Sequence, residues 1–245
     1  MSKFIDLRVV WTLARRTFSH TVESPIAFIC AVFFYGFIGL IFSPQFFANN
    51  NASIDGVGAL APWLLWFVVP ALTMGLISDE IRSGTFEHLS TLPLRDWEIV
   101  LGKFKGFALF AFFLIGGLVF YPLLIASLAH PGVGLDWGAS LGTLLGLLLI
   151  CFFYGAMGLF ASSLAKNQVV AFILGVIFCT FFFFIGQFSG LFPGFLSQVA
   201  DFLGVGVHLN TLSRGVFDIR DFLYFGSMTF LFLYFSVIRL SSRRF

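Results

Sequence analysis

Two short motifs in this sequence have the residue types and spacing of known nucleophilic sites. Residues 138–142 read Gly-Ala-Ser-Leu-Gly, the pattern that exposes a nucleophilic serine on a tight strand-to-helix turn. Ser163 and Lys166 have the Ser-x-x-Lys spacing in which a lysine assists a serine. No His or Asp lies in the apolar segment that holds the first motif, and the companion motifs of the second are absent. We therefore predict no catalytic residues in this chain.

Nucleotide and metal sites are disfavoured for similar reasons. A P-loop requires Gly-x-x-x-x-Gly-Lys followed by Ser or Thr. The Gly102-Lys103 pair is instead followed by Phe104, and Trp97 stands where the first glycine belongs. The histidines are spread along the chain and share no ligand spacing: His20, His88, His130 and His208. We expect no cofactor and no metal in this chain.

The composition indicates which kind of secondary structure holds these residues. Hydrophobic residues make up 59% of the 245 positions and charged residues 11%, and the mean hydropathy is +0.98. A soluble domain has about 25% charged residues. A helix that crosses a bilayer needs roughly 20 apolar residues. Six segments are about this long and contain no Asp, Glu, Lys, Arg or His: about 25–42, 60–77, 106–128, 137–160, 168–185 and 222–238. The sequence predicts an all-α membrane protein with six transmembrane helices in a single transmembrane domain, residues 1–245.

The distribution of positive charge predicts the orientation. Twelve of the 14 Lys and Arg residues lie on the side of the N terminus, and only Arg214 and Arg220 lie on the other. By the positive-inside rule, both termini are expected in the cytoplasm. No basic face exists away from the membrane-flanking positions, so we expect no nucleic-acid partner.

Two further segments flank the spans. Residues 2–20 carry apolar side chains at helical spacing and predict an amphipathic helix in the cytoplasmic interface, or else a short helix packed on a partner. Residues 186–221 stay apolar without forming a span, which predicts an external hairpin of short helices dipping into the outer leaflet, or else a helix lying flat on the spans. The pairs Gly102/Gly106, Gly142/Gly146 and Gly186/Gly190 indicate close helix packing.

The loop between the second and third spans is the most polar internal segment. Ser78 or Asp79 is expected to cap a helix, and Pro93 ends it. Ile81, Thr85 and Leu89 lie on one face. The pattern predicts a short amphipathic helix over about 79–92, parallel to the cytoplasmic surface, that either docks in a partner or lies in the interface as a solvated loop.

The order of short motifs along the chain resembles the permease subunits of type 2 ABC exporters, and more narrowly the gliding-motility-type (GldF-like) permeases. The motifs are Ser24-Pro25-Ile26-Ala27-Phe28, Glu80, Arg82-Ser83-Gly84-Thr85, Glu87, Leu89, Leu92-Pro93, Trp97-Glu98, Leu101-Gly102-Lys103-Phe104, His208, Ser213-Arg214-Gly215-Val216, Asp218, Arg220-Asp221, Tyr224-Phe225 and Arg243-Arg244. The resemblance runs nearly from end to end.

The resemblance implies a dimeric transmembrane unit in the bacterial inner membrane, made with a second copy or a paralogue. Separate cytoplasmic ABC ATPases, which bind the ATP and Mg, would dock on the helix over 79–92, the coupling helix. The residues expected to couple to the ATPase are Asp79, Glu80, Arg82, Thr85, Phe86, Glu87 and Leu89. The gliding-motility type also implies a companion membrane protein with a large external domain.

Transport would follow a path at the dimer centre, and the weak candidates for its lining are Thr180, Phe181, Phe184 and Gln187. Two other functions stay open at this point. One is an ATP-driven mechanical or assembly complex that moves an external partner without carrying a solute. The other is an ion-coupled secondary transporter, which the uncharged spans disfavour.

Overall fold

The computed structural model describes residues 6–49, 53–85, 94–128, 135–191 and 193–243. Across these ranges the chain forms helices and turns, and they contain no strand. The predicted all-α class is thereby confirmed.

Helices cover all six predicted spans. Five are long and apolar enough to cross a membrane, and Gln168–Phe184 is apolar with 17 residues. The α-helices of the described ranges are α1 (Leu7–Glu23), α2 (Pro25–Asn49), α3 (Asp55–Thr73), α4 (Gly75–Arg82), α5 (Asp96–Gly116), α6 (Phe120–Leu128), α7 (Trp137–Leu164), α8 (Gln168–Phe184), α9 (Phe195–Leu203), α10 (Val205–Ser213) and α11 (Ile219–Ser241). Gly117–Val119 and Ser189–Leu191 are 3₁₀ helices.

Some spans differ from their predicted outlines. The second is divided at Met74 into α3 and α4, and Gly117–Val119 lies between the two parts of the third. The helices of the first and last spans are longer than predicted: α2 reaches Asn49, and α11 covers Ile219–Ser241. The predicted segments ended at charged and turn-forming residues. The helices are longer because helical backbone hydrogen bonding continues through those residues.

Helix α7 is the centre of the bundle and packs on α3, α5, α8, α10 and α11. Its apolar window is 72% buried, against 22% for the first span. The large side chains of Phe153 and Tyr154 are fully enclosed there. Glycines allow the close approach: a methyl group on Gly155 would overlap the ring of Phe107, and one on Gly158 would overlap the hydroxyl of Thr73.

The N-terminal helix α1 packs along the start of α5. Val10 and Ala14 are buried, and a Cβ on Gly106 would lie 2.7 Å from the carbonyl oxygen of Ala14. Leu7 and Trp11 are exposed. The apolar stripe predicted for this helix therefore divides into a face that packs on α5 and a face that is free, and the Gly102/Gly106 pair serves α1.

The two ends of the bundle carry different groups of residues. The charged end carries Asp79, Glu80, Lys103 and Arg243, and the guanidinium of Arg243 donates to the carbonyl of Leu164 at 3.1 Å. The hairpin end carries α9 and α10, which meet at Gly204. This pair of helices lies within the predicted hairpin 186–221.

The hairpin packs beside a span. A methyl group on Gly142 would overlap the carbonyl oxygen of Leu212, and one on Gly146 would lie 2.7 Å from Cδ1 of Leu209. These glycines are five and nine residues beyond Trp137, where α7 begins, so α10 lies against the first turns of α7. The external position of the hairpin and its dip into the outer leaflet stay predictions. Gly190 makes no comparable contact.

Candidate functional site: a charged cluster joining the second span to its neighbours

The second span is interrupted at Met74, and a side chain from α7 bridges the interruption. Pro70 has no N–H, and the first N–H groups of α4 have no partner within their own helix. The hydroxyl oxygen of Ser162 accepts from the N–H groups of Ile77 and Ser78, both at 2.9 Å. The same hydroxyl donates to the carbonyl of Met74 at 2.8 Å. Ser162 thus caps α4 from a neighbouring helix and holds the two halves of the span in register.

Beyond the interruption, α4 is bonded to the third span. The ammonium Nζ of Lys103 on α5 lies 2.7 Å from Oε1 of Glu80 and also donates to the carbonyl of Leu76. The Lys103 side chain is 7% exposed and that of Glu80 is 26% exposed. A buried ammonium is costly unless paired and hydrogen-bonded, and these contacts meet both conditions. The pair joins α4 to α5.

A second bond joins α4 to the fifth span. Nε2 of Gln168, the first residue of α8, donates to Oδ2 of Asp79 at 2.7 Å. The carboxylate lies over Gly75, where a Cβ would be 2.6 Å from the same oxygen. Gly75 leaves the space that the Asp79–Gln168 bond needs.

Glu98 ties the start of the third span to α1. Its Oε2 accepts from the N–H of Arg95 and its Oε1 from the N–H of Asp6, both at 2.9 Å. Glu98 is 5% exposed, and these two backbone donors help to compensate its buried charge. The motifs of the sequence did not predict this role for Glu98, although its position in the first turn of α5 indicates a helix cap.

A cavity of about 270 Å³ lies between α1, the start of α2 and α4. Arg16 and His20 line it from α1, and Asp79 and Glu80 line it from α4. Lys103 and Gln168 also contribute to its lining. The cluster therefore borders a cavity between α1 and the second span whose lining is mainly apolar, with these charged and polar groups on its wall.

The predicted coupling residues divide into two groups. Asp79 and Glu80 bind other residues of the chain: Asp79 accepts from Gln168, and Glu80 pairs with Lys103. Arg82 and Thr85 are exposed, and the hydroxyls of Ser83 and Thr85 lie 2.8 Å apart. Phe86, Glu87 and Leu89 lie outside the described residues.

The start of the predicted coupling helix is wrong. Asp79–Arg82 are the last turn of α4, which begins at Gly75, and the hydroxyl of Ser78 donates to Met74 instead of capping a new helix. Gly84 has a φ of +72°, a conformation that glycine adopts readily, and it turns the chain after α4. Residues 75–77 belong to the predicted apolar span 60–77, so the sequence pattern hid the true beginning of the helix.

The four candidate path residues on and after α8 also differ in their surroundings. The hydroxyl of Thr180 accepts from Nε1 of Trp66 at 2.8 Å, and the Phe184 ring meets that of Trp66 edge-on at 5.6 Å. These two side chains hold α8 on α3. Phe181 and Gln187 are exposed, and their role as path lining stays a prediction.

At the hairpin end, His208 of α10 and Asp221 of α11 form a buried pair, with Nδ1 of the imidazole 2.7 Å from Oδ1 of the carboxylate. The hydroxyl of Tyr224 donates to the carbonyl of Leu203 at 2.6 Å. In the sequence, His208 and Asp221 belong to the motifs of the family resemblance, but their spacing did not predict that they pair. The signal that pointed to the pair is the acidic residue directly before the last apolar segment.

The chain was compared with known proteins. The model of the family described as ABC-2 type transporter matches residues 8–201, more than three quarters of the chain. No curated protein matches the sequence. The chain belongs to the ABC-2 type transporter family, whose members are membrane permeases without a catalytic role of their own and are expected to work with cytoplasmic ABC ATPases. The narrower resemblance to gliding-motility-type permeases stays a prediction.

Proposed function

We propose that this permease is the membrane subunit of an ATP-driven exporter in the bacterial inner membrane. Two separate ATPase subunits supply ATP and Mg, and the permease forms a dimer with a second copy or a paralogue. Both termini and the charged end face the cytoplasm, and the hairpin end faces outward. The charge distribution of the sequence and the family membership support this assignment.

The observation that carries the proposal is the set of bonds made by α4. This short helix is capped by Ser162 of the fourth span and ion-paired through Glu80 to the third span. Through Asp79 it is also hydrogen-bonded to the fifth span. A displacement of α4 therefore acts on three neighbouring spans, which is the behaviour required of an element that transmits ATPase movement into the membrane.

We assign docking and transmission to different residues. Arg82 and Thr85 are exposed and, with the segment that follows, form the surface on which the ATPase docks. Asp79 and Glu80 transmit the movement, since their carboxylates already bind within the chain. Phe86, Glu87 and Leu89 complete the docking surface in this proposal.

Co-purification tests the docking assignment. Wild-type protein extracted from its native membrane in mild detergent should retain a P-loop ATPase that mass spectrometry identifies. Arg82→Glu should reduce the retained ATPase at least fivefold. Arg239→Glu is a matched control, because Arg239 is also exposed at the charged end and lies on α11, away from α4. Loss of the ATPase in both variants, or an ATPase-free wild type under several mild conditions, would contradict the proposal.

A second measurement separates transmission from docking. Glu80→Gln keeps the shape of the side chain and removes its charge, so the variant should retain the ATPase. Hydrogen exchange of α3 and α4 should change on ATP addition in the wild-type complex and change much less in the variant. An equal response in both would show that Glu80 does not transmit movement.

A further inference from the structure

His208 holds the hairpin against the last span in a buried setting. It is 6% exposed, and Asp221 is 4% exposed. Its ring stacks on that of Tyr224, with centroids 4.0 Å apart and planes inclined by 15°. The pair connects α10 to α11.

Both ring nitrogens of His208 face acceptors. Nδ1 lies 2.7 Å from Oδ1 of Asp221, and Nε2 lies 3.0 Å from the carbonyl oxygen of Phe202. A carbonyl only accepts, so Nε2 carries a hydrogen and donates it. A neutral imidazole has a single N–H, which leaves Nδ1 with a lone pair directed at the Asp221 carboxylate. The contact between Nδ1 and Oδ1 therefore needs a further proton, carried by either of the two atoms.

The neighbouring groups do not remove this requirement. Tyr224 uses its proton on the carbonyl of Leu203. Oδ2 of Asp221 is buried and has no hydrogen-bond partner within the described ranges. The other titratable side chains on the elements packed around the pair are Asp201 on α9, Cys151 and Tyr154 on α7, Cys179 on α8, and Arg220, Tyr234 and Arg239 on α11, with Asp218 and Arg214 at the ends of α11 and α10. Among the residues that the structure describes, none of these forms a hydrogen bond or ion pair with His208.

We propose that His208 and Asp221 form a proton-binding site that fastens the α9–α10 hairpin to the last span. The docked hairpin holds two protons on the pair, one on Nε2 and one between Nδ1 and Oδ1. When the hairpin detaches, both side chains enter water, where a histidine loses its charge at about pH 6.5 and an aspartate is ionised above about pH 4. The detached pair then holds one proton fewer at neutral and alkaline pH.

The direction of the pH dependence follows from this count. Docking takes up one proton above about pH 6.5, so the ratio of docked to detached hairpin falls about tenfold for each unit that pH rises, for as long as the docked pair keeps both protons. Between about pH 4.5 and 6 both states hold the same number of protons, and docking is insensitive to pH. The site lies at the end of the bundle opposite the charged cluster, so it responds to the compartment on that side.

Hydrogen exchange of the full chain in lipid nanodiscs tests the proposal. Backbone protection in residues 205–213, corrected for intrinsic exchange and referenced to α8, should fall about tenfold per unit between pH 7 and pH 8.5. Asp221→Asn should abolish this dependence, because the Asn amide donates to Nδ1 without any additional proton. A flat profile for wild type, or the wild-type profile in Asp221→Asn, would overturn the proposal.

A direct measurement on the ring covers the case in which the Asn variant misfolds. Nitrogen NMR is recorded on ¹⁵N-histidine protein in which His20, His88 and His130 are replaced by Gln. At pH 7, His208 should show a protonated Nε2, with Nδ1 either protonated or accepting a proton from Asp221. A neutral ring with its hydrogen on Nδ1 and a bare Nε2 would show that the pair holds no additional proton, and would refute the site whatever the exchange data give.

Discussion

Nζ of Lys103 lies 2.7 Å from Oε1 of Glu80, and this ion pair connects the second span to the third across 23 residues of sequence. Different roles were expected for the two residues: Glu80 was expected to contact an ATPase, and Lys103 was one of the positive charges flanking the third span on the cytoplasmic side. Their pairing makes Glu80 an internal contact, and for this reason we propose that docking involves the exposed residues beyond it.

The pair can be dissected by a double-mutant cycle. Lys103→Met leaves the Glu80 carboxylate without its cation, and Glu80→Gln leaves a buried ammonium facing a neutral amide. Each single change should destabilise the protein by about 2 kcal/mol, with the partial exposure of Glu80 limiting the loss. The double variant should lose less than the sum of the two. Thermal unfolding in detergent, followed by tryptophan fluorescence, measures the loss of stability in the two single variants and the double variant. Additive losses would mean that the two charges do not interact.

Ser162 is expected to be the most sensitive hydroxyl near the interruption of the second span. Ser162→Ala leaves the N–H groups of Ile77 and Ser78 without their partner, at a cost of about 1–3 kcal/mol, while the carbonyl of Met74 keeps the bond from the Ser78 hydroxyl. Ser163→Ala is the matched control, because Ser163 is equally buried but its hydroxyl donates only to Phe160 within its own helix. Unfolding temperatures of the two variants measure the difference. Equal shifts would contradict a special role for Ser162.

The contact between α1 and α5 depends on the absence of a side chain at residue 106. In Gly106→Ala the new methyl group meets Thr17 and Ala14, so α1 is displaced at a cost of about 1–3 kcal/mol. Gly116→Ala on the same helix meets nothing within 4 Å and should leave stability unchanged or raise it slightly. Hydrogen exchange across Leu7–Glu23 should increase in the first variant only. Unchanged exchange in Gly106→Ala would show that α1 tolerates the methyl group in place.

A methyl group at residue 142 should displace the hairpin. In Gly142→Ala the Cβ overlaps the carbonyl oxygen of Leu212, which belongs to the backbone and cannot rotate away. Limited proteolysis between α9 and α11 should become faster, whereas Gly226→Ala, with nothing within 4 Å of its Cβ, should cleave at the wild-type rate. Identical cleavage of both variants would indicate that the hairpin accommodates the change without leaving α7.

The residue patterns predicted the spans more reliably than they predicted the contacts between the spans. All six predicted apolar segments are helical, and the Gly102/Gly106 and Gly142/Gly146 pairs do mark close packing. The patterns did not indicate which element fills each space: the first pair receives α1 and the second receives the hairpin. The interruption at Met74 was also hidden, because its bridging residue, Ser162, stands 88 positions further along the chain.

The sequence by itself determined that this chain is an α-helical membrane protein and where its spans lie, because a bilayer demands a run of about 20 apolar residues with all backbone groups bonded inside the run. Those requirements are local and can be read residue by residue. The tertiary structure alone decided which polar groups meet, since Glu80 with Lys103, Asp79 with Gln168, and His208 with Asp221 come from different helices. A buried charge or hydroxyl must find a partner somewhere, and only the packing of the helices determines which partner is within reach.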